Sequence, residues 1–456
     1  MVSINPSDYF NETYLRGYFK RKLLKKNGGG RDNLSPEKFL TRYGGEFSQI
    51  CKKCLDGSYR FSYYNENLVL KGSNKYPRVL SIPTIRDRLV LGVLNDYLSA
   101  VFPECVSHEV PNSLIYKIEN YINTHAGDPI YFLRTDFHNF YGTIYIKLLM
   151  GKISTRVSDD NIKTLINKAI TTPTVSGSIS KDIKQKKQGI PQGLAISNIL
   201  ASIYIHSFDE EFGRTSAGLY IRYVDDILFL DTKGIILKRQ MLKEIQKRNL
   251  RLRLSPEKCK SGIVGETSID FIGYVIKDKV FIRQRNVTRF LNRVASLAVK
   301  YKEGWENPSK RQLFIMSDST YLDYYSEEFR ELMSGFKYDN RLYGWMAYFQ
   351  AITDVSSLYG MDRVIKSRIL KGLPPEIKNK LHTLVETYYD IRRNGGKNIV
   401  PDYDALVTVG ERESFLRKRG RIDANKHYTE EQINNYFESY IDFLKRVSEH
   451  HIGERS

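Results

Sequence analysis

The sequence predicts an α+β protein whose C-terminal part is helical. From about residue 130 to 276, short apolar runs typical of strands alternate with stretches in which apolar residues recur at helical spacing. Beyond residue 286 the pattern changes to helices. Before them, residues 7 to 60 mix basic clusters with glycine pairs, which indicates helices joined by loops. We therefore divide the chain into three expected segments, 1–130, 131–284 and 285–456.

The N-terminal segment closes with a short strand, a proline turn and a helix. The run from Tyr76 to Ile82 is apolar enough for a strand, and Pro83 ends it. Apolar residues at 89, 90, 93 and 94 then fall on one helical face. At the start of this helix we expect Arg86, Asp87 and Arg88 to pair with one another on the surface.

The mixed segment carries three motifs in a fixed order. An apolar strand ends at Asp136 and is followed by the aromatics Phe140 and Tyr141. The turn-rich run 188–193, Gln-Gly-Ile-Pro-Gln-Gly, opens into a buried helix predicted over 194–212. A β-hairpin over 219–230 then carries Asp225 and Asp226 at its tip, and a basic amphipathic helix near 235–249 and one short strand over 269–276 complete the segment.

The hairpin tip is the most informative feature of the chain. Adjacent carboxylates repel each other, so a turn that holds two of them between apolar strands indicates a divalent metal that offsets the repulsion. This points to metal-assisted phosphoryl chemistry. Asp-Asp is also a common turn pair, so the tip needs the two motifs before it to carry the interpretation.

The helical segment contains two clear amphipathic patterns. One face of the first helix and one face of the last are apolar, and Thr429 with Gln432 forms a predicted capping box for the last. Aromatic residues over 342–349 indicate further packed helices between them. The predicted faces consist of Val287, Phe290, Leu291, Val294, Leu297, Ala298 and Tyr301, and of Ile433, Tyr436, Phe437, Tyr440, Ile441, Leu444 and Val447.

Composition agrees with a nucleic-acid partner but does not by itself establish one. The 456 residues include 71 Lys plus Arg against 52 Asp plus Glu, a net charge of +19. The same charge also suits an ordinary soluble surface. The four cysteines include one close pair, Cys51 and Cys54, without the further ligands of a zinc site, so we interpret the cysteines as packing or surface thiols. With no charged-then-apolar leader and no membrane-length apolar run in the sequence, we expect a cytoplasmic protein.

The order of the three motifs resembles the polymerase palm of reverse transcriptases. The resemblance covers about residues 70–276 and implies right-hand fingers and palm, the palm an antiparallel sheet with helices, followed by an all-helical thumb and C-terminal extension. It implies RNA-directed DNA synthesis, in which two Mg²⁺ ions, replaceable by Mn²⁺, assist attack of a 3′-hydroxyl on a deoxynucleotide. The implied partners are nucleic acid, deoxynucleotide triphosphates and a second copy of the chain, with no membrane.

The resemblance also implies roles for individual residues. The metal ligands would be Asp136, Asp225, Asp226 and Phe137, with Asp136 and Asp225 bridging the ions. The nucleotide-binding residues would be Lys75, Arg78, Tyr141, Gln192 and Gly193, with Lys71 as an alternative to Lys75. The primer grip would be Phe271, Gly273 and Tyr274. Tyr141 would exclude a 2′-hydroxyl and Lys258 would protonate pyrophosphate; the alternatives are a core aromatic and a surface lysine.

Within the family, the run from Gly189 to Asn198 and the helical C-terminus look most like the bacterial defence-associated or abortive-infection enzymes. This subclass implies a role against phage, with untemplated or protein-primed synthesis as possibilities. Two alternatives stay open. One is a group II intron or retron-type enzyme that copies its own structured RNA. The other is a basic RNA-binding scaffold built on an inactive palm.

Overall fold

The computed structural model describes residues 4–24, 30–70, 76–106, 109–177, 187–215, 218–234, 237–311, 317–423 and 425–451. The helices are α1 Glu12–Tyr18, α2 Pro36–Tyr43, α3 Phe47–Leu55, α4 Ile85–Val101, α5 Pro111–Thr124, α6 Phe140–Thr143, α7 Ile146–Ile153, α8 Asp160–Thr171, α9 Ser197–Thr215, α10 Leu237–Lys247, α11 Gln284–Glu306, α12 Asp318–Ser334, α13 Trp345–Tyr348, α14 Ser356–Val364, α15 Pro375–Lys378, α16 Leu384–Asn394, α17 Val409–Lys418 and α18 Glu430–His451.

Strands alternate with these helices, so the predicted α+β class is confirmed. The strands are β1 Tyr64–Val69, β2 Arg78–Ile82, β3 Tyr131–Asp136, β4 Thr174–Val175, β5 Leu219–Tyr223, β6 Asp226–Asp231, β7 Lys260–Ile263, β8 Ile269–Phe271, β9 Tyr274–Ile276, β10 Val280–Ile282, β11 Phe336–Tyr338 and β12 Arg341–Tyr343. Short 3₁₀ turns include Pro103–Cys105 and Pro256–Lys258. No helix of the described residues is long and apolar enough to cross a bilayer.

The chain divides into two compact units. Unit 1 consists of residues 1–108 and 132–261, and unit 2 consists of 109–131 and 262–456. Helix α5 belongs to unit 2 because its polar side chains bind the backbone near α13: Asn112 donates to the carbonyl of Ala347 at 3.4 Å. These contact units follow packing, whereas the three expected segments follow sequence pattern, so the three-segment division stays a prediction.

Unit 1 is built on a four-stranded sheet of order β5-β6-β3-β7 and a three-stranded sheet of order β2-β1-β4. Helix α4 packs within it, and Leu89, Val90, Val93 and Leu94 are all fully buried, as the spacing predicts. Asp87 pairs with Arg86 at 3.7 Å as expected, but the expected surface location is wrong, because Asp87 is buried and accepts hydrogen bonds from the Tyr59 hydroxyl at 2.7 Å and the Ser62 amide at 3.0 Å.

Unit 2 begins with a meander of order β10-β9-β8. The single strand predicted over 269–276 is therefore two strands, joined by a tight turn at Ile272 and Gly273. Both turn residues have positive φ, +40° and +89°, which matches the right-handed twist of a two-residue hairpin. Isoleucine at such a φ is uncommon, so the apolar run hides the turn.

A second hairpin interrupts the region that the sequence predicts to be all-helical. Strands β11 and β12 pair antiparallel, and Asp339 and Asn340 turn between them with φ of +54° and +56°. The all-helical prediction is wrong here, and α13 contains four residues only. An Asp-Asn pair between aromatic runs is a recognisable hairpin signal that the helical pattern around it obscures.

The terminal helices of unit 2 follow their predicted patterns closely. Helix α18 has the expected capping box, in which the Thr429 amide donates to Gln432 at 2.9 Å and the Gln432 amide to Thr429 at 3.3 Å. Its apolar face is buried at Ile433, Phe437, Tyr440, Ile441 and Leu444, whereas Val447 is half-buried and Tyr436 is 45% exposed. Helix α11 buries Val287, Phe290, Val294, Ala298 and Tyr301.

Candidate active site

The three aspartates singled out by the sequence lie on neighbouring strands of the unit 1 sheet. Asp136 is the last residue of β3, and Asp226 is the first residue of β6, which is next to β3. Asp225 precedes β6 in the turn of the β5–β6 hairpin, whose register pairs Tyr223 with Asp226. The predicted hairpin is thus confirmed, and it carries both tip carboxylates to the end of the strand that carries the third.

The turn of this hairpin is strained and firmly held. Val224 has φ of +59°, a conformation that β-branched residues rarely adopt. Arg222 donates to the Val224 carbonyl at 2.7 Å and to the Asp209 carboxylate of α9 at 2.6 and 2.9 Å. Tyr220 donates to the same carboxylate at 2.7 Å. Helix α9 therefore fixes the turn that presents Asp225.

Lys258 fills the space beside Asp136. The backbone of 253–255 runs alongside the end of β3, where the Ser255 amide donates to the Asp136 carbonyl at 2.9 Å. The turn Pro256–Lys258 then brings the ammonium group of Lys258 to Asp136 Oδ2, with which it forms an ion pair. Burial opposes the charge of Lys258, but its bond to Asp136 and the attraction of Asp136, Asp225 and Asp226 outweigh that effect and raise its pKa.

Asp226 faces a different cation. Arg134 of β3 donates to its Oδ1 at 3.1 Å, and both side chains are less than one-fifth exposed. Burial raises the pKa of Asp226 to about 6; Arg134 lowers it, and the negative charges of Asp225 and Asp136 raise it further. Asp226 therefore lies close enough to Asp225 and Asp136 for their negative charges to act on it.

The donor set fits a divalent cation. Asp136 keeps a second oxygen, Oδ1, that is buried without a hydrogen-bond partner among the described residues. The three carboxylates do not bring their oxygens within 4.8 Å of one another, and Lys258 and Arg134 each hold one of them. Phe137 stacks on Phe140 at 5.4 Å inside the core. Its ring has no donor atom, so only its backbone carbonyl could reach an ion.

Tyr141 lies beside this cluster on the short helix α6. It is 7% exposed and donates its hydroxyl to Asn198 Oδ1 of α9 at 2.7 Å. Burial and the charge of Asp225 raise its pKa to about 12, while Arg222 and Arg78 lower it. Tyr141 is therefore close enough to Asp225 and to Arg78 of β2 for both charges to act on its hydroxyl.

The loop before α9 lies against strand β2 and the α6 region. The Ser81 amide donates to the Gln192 carbonyl at 2.7 Å, and Gly193, with φ of +96°, leaves 3.3 Å between a hypothetical Cβ and the Ser81 carbonyl. Helix α9 begins at Ser197, three residues later than predicted, because the loop folds back and the Ser197 hydroxyl donates to the Pro191 carbonyl at 2.6 Å. Lys75 and Lys71 lie outside the described residues.

The predicted primer-grip residues belong to unit 2. Phe271 and Tyr274 are fully buried on the β8–β9 hairpin, and Gly273 forms its turn. Asn286 donates to the Gly273 carbonyl at 3.2 Å, and Tyr348 donates to the Ile272 carbonyl at 2.8 Å. The turn is thus fixed within unit 2 by α11 and α13.

Four residues of the site escaped the sequence analysis: Arg134, Asn198, Asp209 and Arg222. Each acts through another residue, as the partner of Asp226, Tyr141 or the hairpin turn. Alternation offered a signal for Arg134, since a charged residue inside an apolar strand that shares a face with Asp136 needs a counter-charge. The spacing of Asp209 and Arg222 carries no such signal, because a helix and a strand bring them together.

Comparison with known proteins gives concordant results. Residues 69–276 match the model of the reverse transcriptase (RNA-dependent DNA polymerase) family. Protein YkfC of Escherichia coli K12 is 23% identical over 293 residues, which is 54% of this chain and 74% of YkfC. The group II intron-encoded protein LtrA of Lactococcus lactis subsp. cremoris is 25% identical over 169 residues, 36% of this chain and 28% of LtrA.

Solved structures with similarity to the chain include two telomerases. Apo telomerase from Candida tropicalis has a TM-score of 0.43 at 13% identity and covers 83% of this chain and 69% of its own. Telomerase from Candida albicans in complex with the TWJ fragment of telomeric RNA has a TM-score of 0.41 at 13% identity, covering 79% of this chain and 69% of its own.

Proposed function

Residues 69–276 match the reverse transcriptase (RNA-dependent DNA polymerase) family, and we propose that this chain is an RNA-directed DNA polymerase whose catalytic carboxylates are Asp136, Asp225 and Asp226. The observation that supports this most strongly is their convergence at the ends of β3 and β6, where burial and then the charges of Asp225 and Asp136 raise the pKa of Asp226. In the proposed reaction a 3′-hydroxyl oxygen bonds to the α-phosphorus of a deoxynucleotide. The bond from that phosphorus to the β-phosphate oxygen breaks, and pyrophosphate leaves.

Divalent metal is part of this proposal. Asp136, Asp225 and the carbonyl of Phe137 would hold Mg²⁺, and Asp226 would act through its charge or as a further ligand. When bound, two ions lower the pKa of the attacking hydroxyl and neutralise the leaving group. The unpartnered Oδ1 of Asp136 supports a ligand role for this residue.

The remaining residues have proposed roles around this centre. Lys258, with its raised pKa, stays charged at neutral pH and would give a proton to pyrophosphate. Arg78, Gln192 and Gly193 would bind the nucleotide, and Lys75 is proposed from sequence alone. Phe271, Gly273 and Tyr274 are proposed to support the primer end.

Asp225→Asn tests the catalytic assignment. The amide keeps the size of the side chain but removes a charge that binds metal, so Mg²⁺-dependent incorporation of deoxynucleotides on an RNA template and DNA primer should fall at least about 10³-fold. Asp231→Asn is the matched control, because Asp231 lies at the other end of β6, roughly 16 Å away along the strand. Synthesis by Asp225→Asn at the rate of the control would refute the assignment.

The physiological role is a separate proposal, namely bacterial defence against phage. It is supported by the run Gly189–Asn198 and by the long C-terminal region of unit 2. Low cysteine content favours a reducing compartment such as the cytoplasm. Cells that express the wild-type chain should plate fewer phage than cells expressing Asp225→Asn. Equal plating over a broad phage panel would contradict a defence role without affecting the polymerase assignment.

The similarity to LtrA supports a second candidate, in which the enzyme copies a cognate structured RNA. Analysis of the purified chain for bound RNA and for DNA products distinguishes the two candidates. A single discrete RNA recovered with the purified chain would favour the intron-type or retron-type role. DNA made without added template, or product that stays attached to the protein after denaturation, would favour the untemplated or protein-primed synthesis of the defence-associated group.

A further inference from the structure

A mixed group of metal-ligand side chains lies in unit 1 outside the proposed active site. Glu104 and Cys105 form the 3₁₀ turn Pro103–Cys105 that follows α4, and His206 projects from α9. Ligand atoms of the three residues all lie within 4.8 Å of one another, and in the described part of the chain no other three His, Cys, Asp or Glu residues approach so closely. The two turn residues are far in sequence from His206, so only the packing of the turn on α9 brings the three together.

The thiol of this group lacks a strong partner. Cys105 is 7% exposed, and its Sγ lies 4.0 Å from Glu104 Oε1, the outer limit of a sulfur hydrogen bond. Burial, and secondly the charge of Glu104, raise the pKa of this thiol to about 12. One turn along α9, Glu210 places Oε2 3.5 Å from His206 Nε2. Glu210 is outside the group whose ligand atoms all lie within 4.8 Å, so as a fourth ligand it would have to move towards the other three.

We propose that Glu104, Cys105 and His206 bind one Zn²⁺ ion, with Glu210 as the fourth ligand. Thiolate, imidazole and carboxylate together are typical of tetrahedral Zn²⁺, whereas Mg²⁺ prefers oxygen ligands alone. The chain thus offers two chemically distinct metal sites, and ligand type would sort the two ions between them. Binding replaces the thiol proton by the metal–sulfur bond and releases that proton to solvent.

The positive charge of Arg156 should weaken zinc binding, so removing that charge tests the proposed site. The Nη1 atom of Arg156 lies 2.9 Å from Glu104 Oε1 and 3.0 Å from Oε2, and the guanidinium stacks on Phe102 at 5.2 Å. A zinc ion must share Glu104 with this cation or displace it. Arg156→Gln keeps most of the side chain over Phe102 but removes the charge, so it should strengthen metal binding.

Bound zinc would link the turn that follows α4 to the middle of α9. Helix α9 also carries Asn198, which binds Tyr141, and Asp209, which holds the hairpin turn. Zinc should therefore raise the melting temperature of the full chain, because an ion that binds only the folded state stabilises it.

Cobalt substitution tests the site without relying on activity. The purified full chain, stripped with EDTA and kept in excess Mg²⁺ to occupy the carboxylate site, is titrated with Co²⁺. We expect a near-ultraviolet thiolate-to-cobalt band that saturates at one ion per chain and is removed by Zn²⁺. Cys105→Ser should abolish the band and Cys259→Ser should retain it. Absence of the band, or its persistence in Cys105→Ser, would overturn the proposal.

Arg156→Gln provides a second test, because a misfolded Cys105→Ser variant would also lose the band. The Arg156→Gln variant should bind Co²⁺ about tenfold more tightly than wild type, because one nearby positive charge is removed from a partly exposed site. Its melting temperature in EDTA is measured in parallel to show that the fold is intact. Unchanged or weaker binding by folded Arg156→Gln would remove Glu104 from the ligand set and refute the site as proposed.

Discussion

At the scale of single residues, Tyr141 shows how the fold limits the movement of a side chain beside the reaction centre. Its ring is packed in the unit 1 core, and its hydroxyl is tied to Asn198. With a pKa of about 12, the hydroxyl stays protonated at working pH and keeps donating. A ring fixed at both ends cannot swing aside to admit a larger sugar, as a sugar gate requires.

Replacing Tyr141 by Ala should therefore relax sugar selection. We expect the ratio of kcat/KM for ribonucleotides to that for deoxynucleotides to rise at least tenfold, roughly 1.4 kcal/mol, because the steric clash with a 2′-hydroxyl disappears. Tyr141→Phe is the control, since it loses the bond to Asn198 but keeps the ring. If selectivity of the Ala variant stays at the wild-type ratio, Tyr141 is a core aromatic and no gate.

At the scale of elements, the β5–β6 hairpin depends on its attachment to α9. The turn contains a β-branched residue at positive φ, a conformation that persists only when neighbouring contacts hold it. Arg222 supplies such contacts, since it binds the turn carbonyl and Asp209 at once. Helix and hairpin therefore act together in placing Asp225.

Arg222→Ala should lower both stability and kcat. Its loss leaves the largely buried carboxylate of Asp209 without its positively charged partner, which costs about 3 kcal/mol in free energy of unfolding. It also removes the hydrogen bond that holds the turn carrying Asp225. Arg214→Gln is the control, because the Arg214–Glu210 pair is exposed and should contribute less than about 0.5 kcal/mol. Denaturant unfolding and steady-state kinetics check both effects. An unchanged kcat in Arg222→Ala would show that the β5–β6 turn keeps its conformation without Arg222.

The same elements show what the sequence could predict. The β5–β6 hairpin and the capping box of α18 were predictable because each depends on neighbours within a few residues. The residue pattern over 269–276 predicts a single strand and hides the turn at Ile272-Gly273, which is suggested only by the resemblance of Phe271–Tyr274 to a primer-grip hairpin. The β11–β12 hairpin was missed because helical segments on both sides outweighed its Asp339-Asn340 turn. For the β11–β12 hairpin, the turn signal Asp339-Asn340 was therefore present in the sequence and was given too little weight.

At the scale of the whole molecule, the contacts that complete the carboxylate site and the Cys105 group join parts of the chain that are distant in sequence. Lys258 meets Asp136, and Cys105 meets His206, through packing of elements that share no local pattern. A family resemblance could suggest Lys258, because the polymerase motifs come in a fixed order. Nothing in one sequence could suggest the Cys105 group, since its ligands lack the close spacing of zinc motifs.

Another property of the whole molecule is its content of buried tyrosine. The chain has 32 tyrosines, and several in each unit are almost fully buried. Burial first, and nearby carboxylates second, raise the pKa of Tyr220 in unit 1 and of Tyr403 and Tyr440 in unit 2 well above the ordinary value of 10.0. These groups stay neutral in the folded chain at pH values where an unfolded chain would ionise them.

We therefore expect stability to fall steeply above pH 10. A tyrosine whose pKa is raised by folding contributes stability that is fully present below its unfolded pKa and is lost as pH rises towards the folded pKa. Each such group costs up to about 1.4 kcal/mol per pH unit in that window. Melting temperatures between pH 8 and pH 11, with tyrosinate absorbance recorded in the same samples, check this. Buried tyrosines should ionise together with unfolding, so gradual ionisation at constant melting temperature would contradict the electrostatic picture of both units.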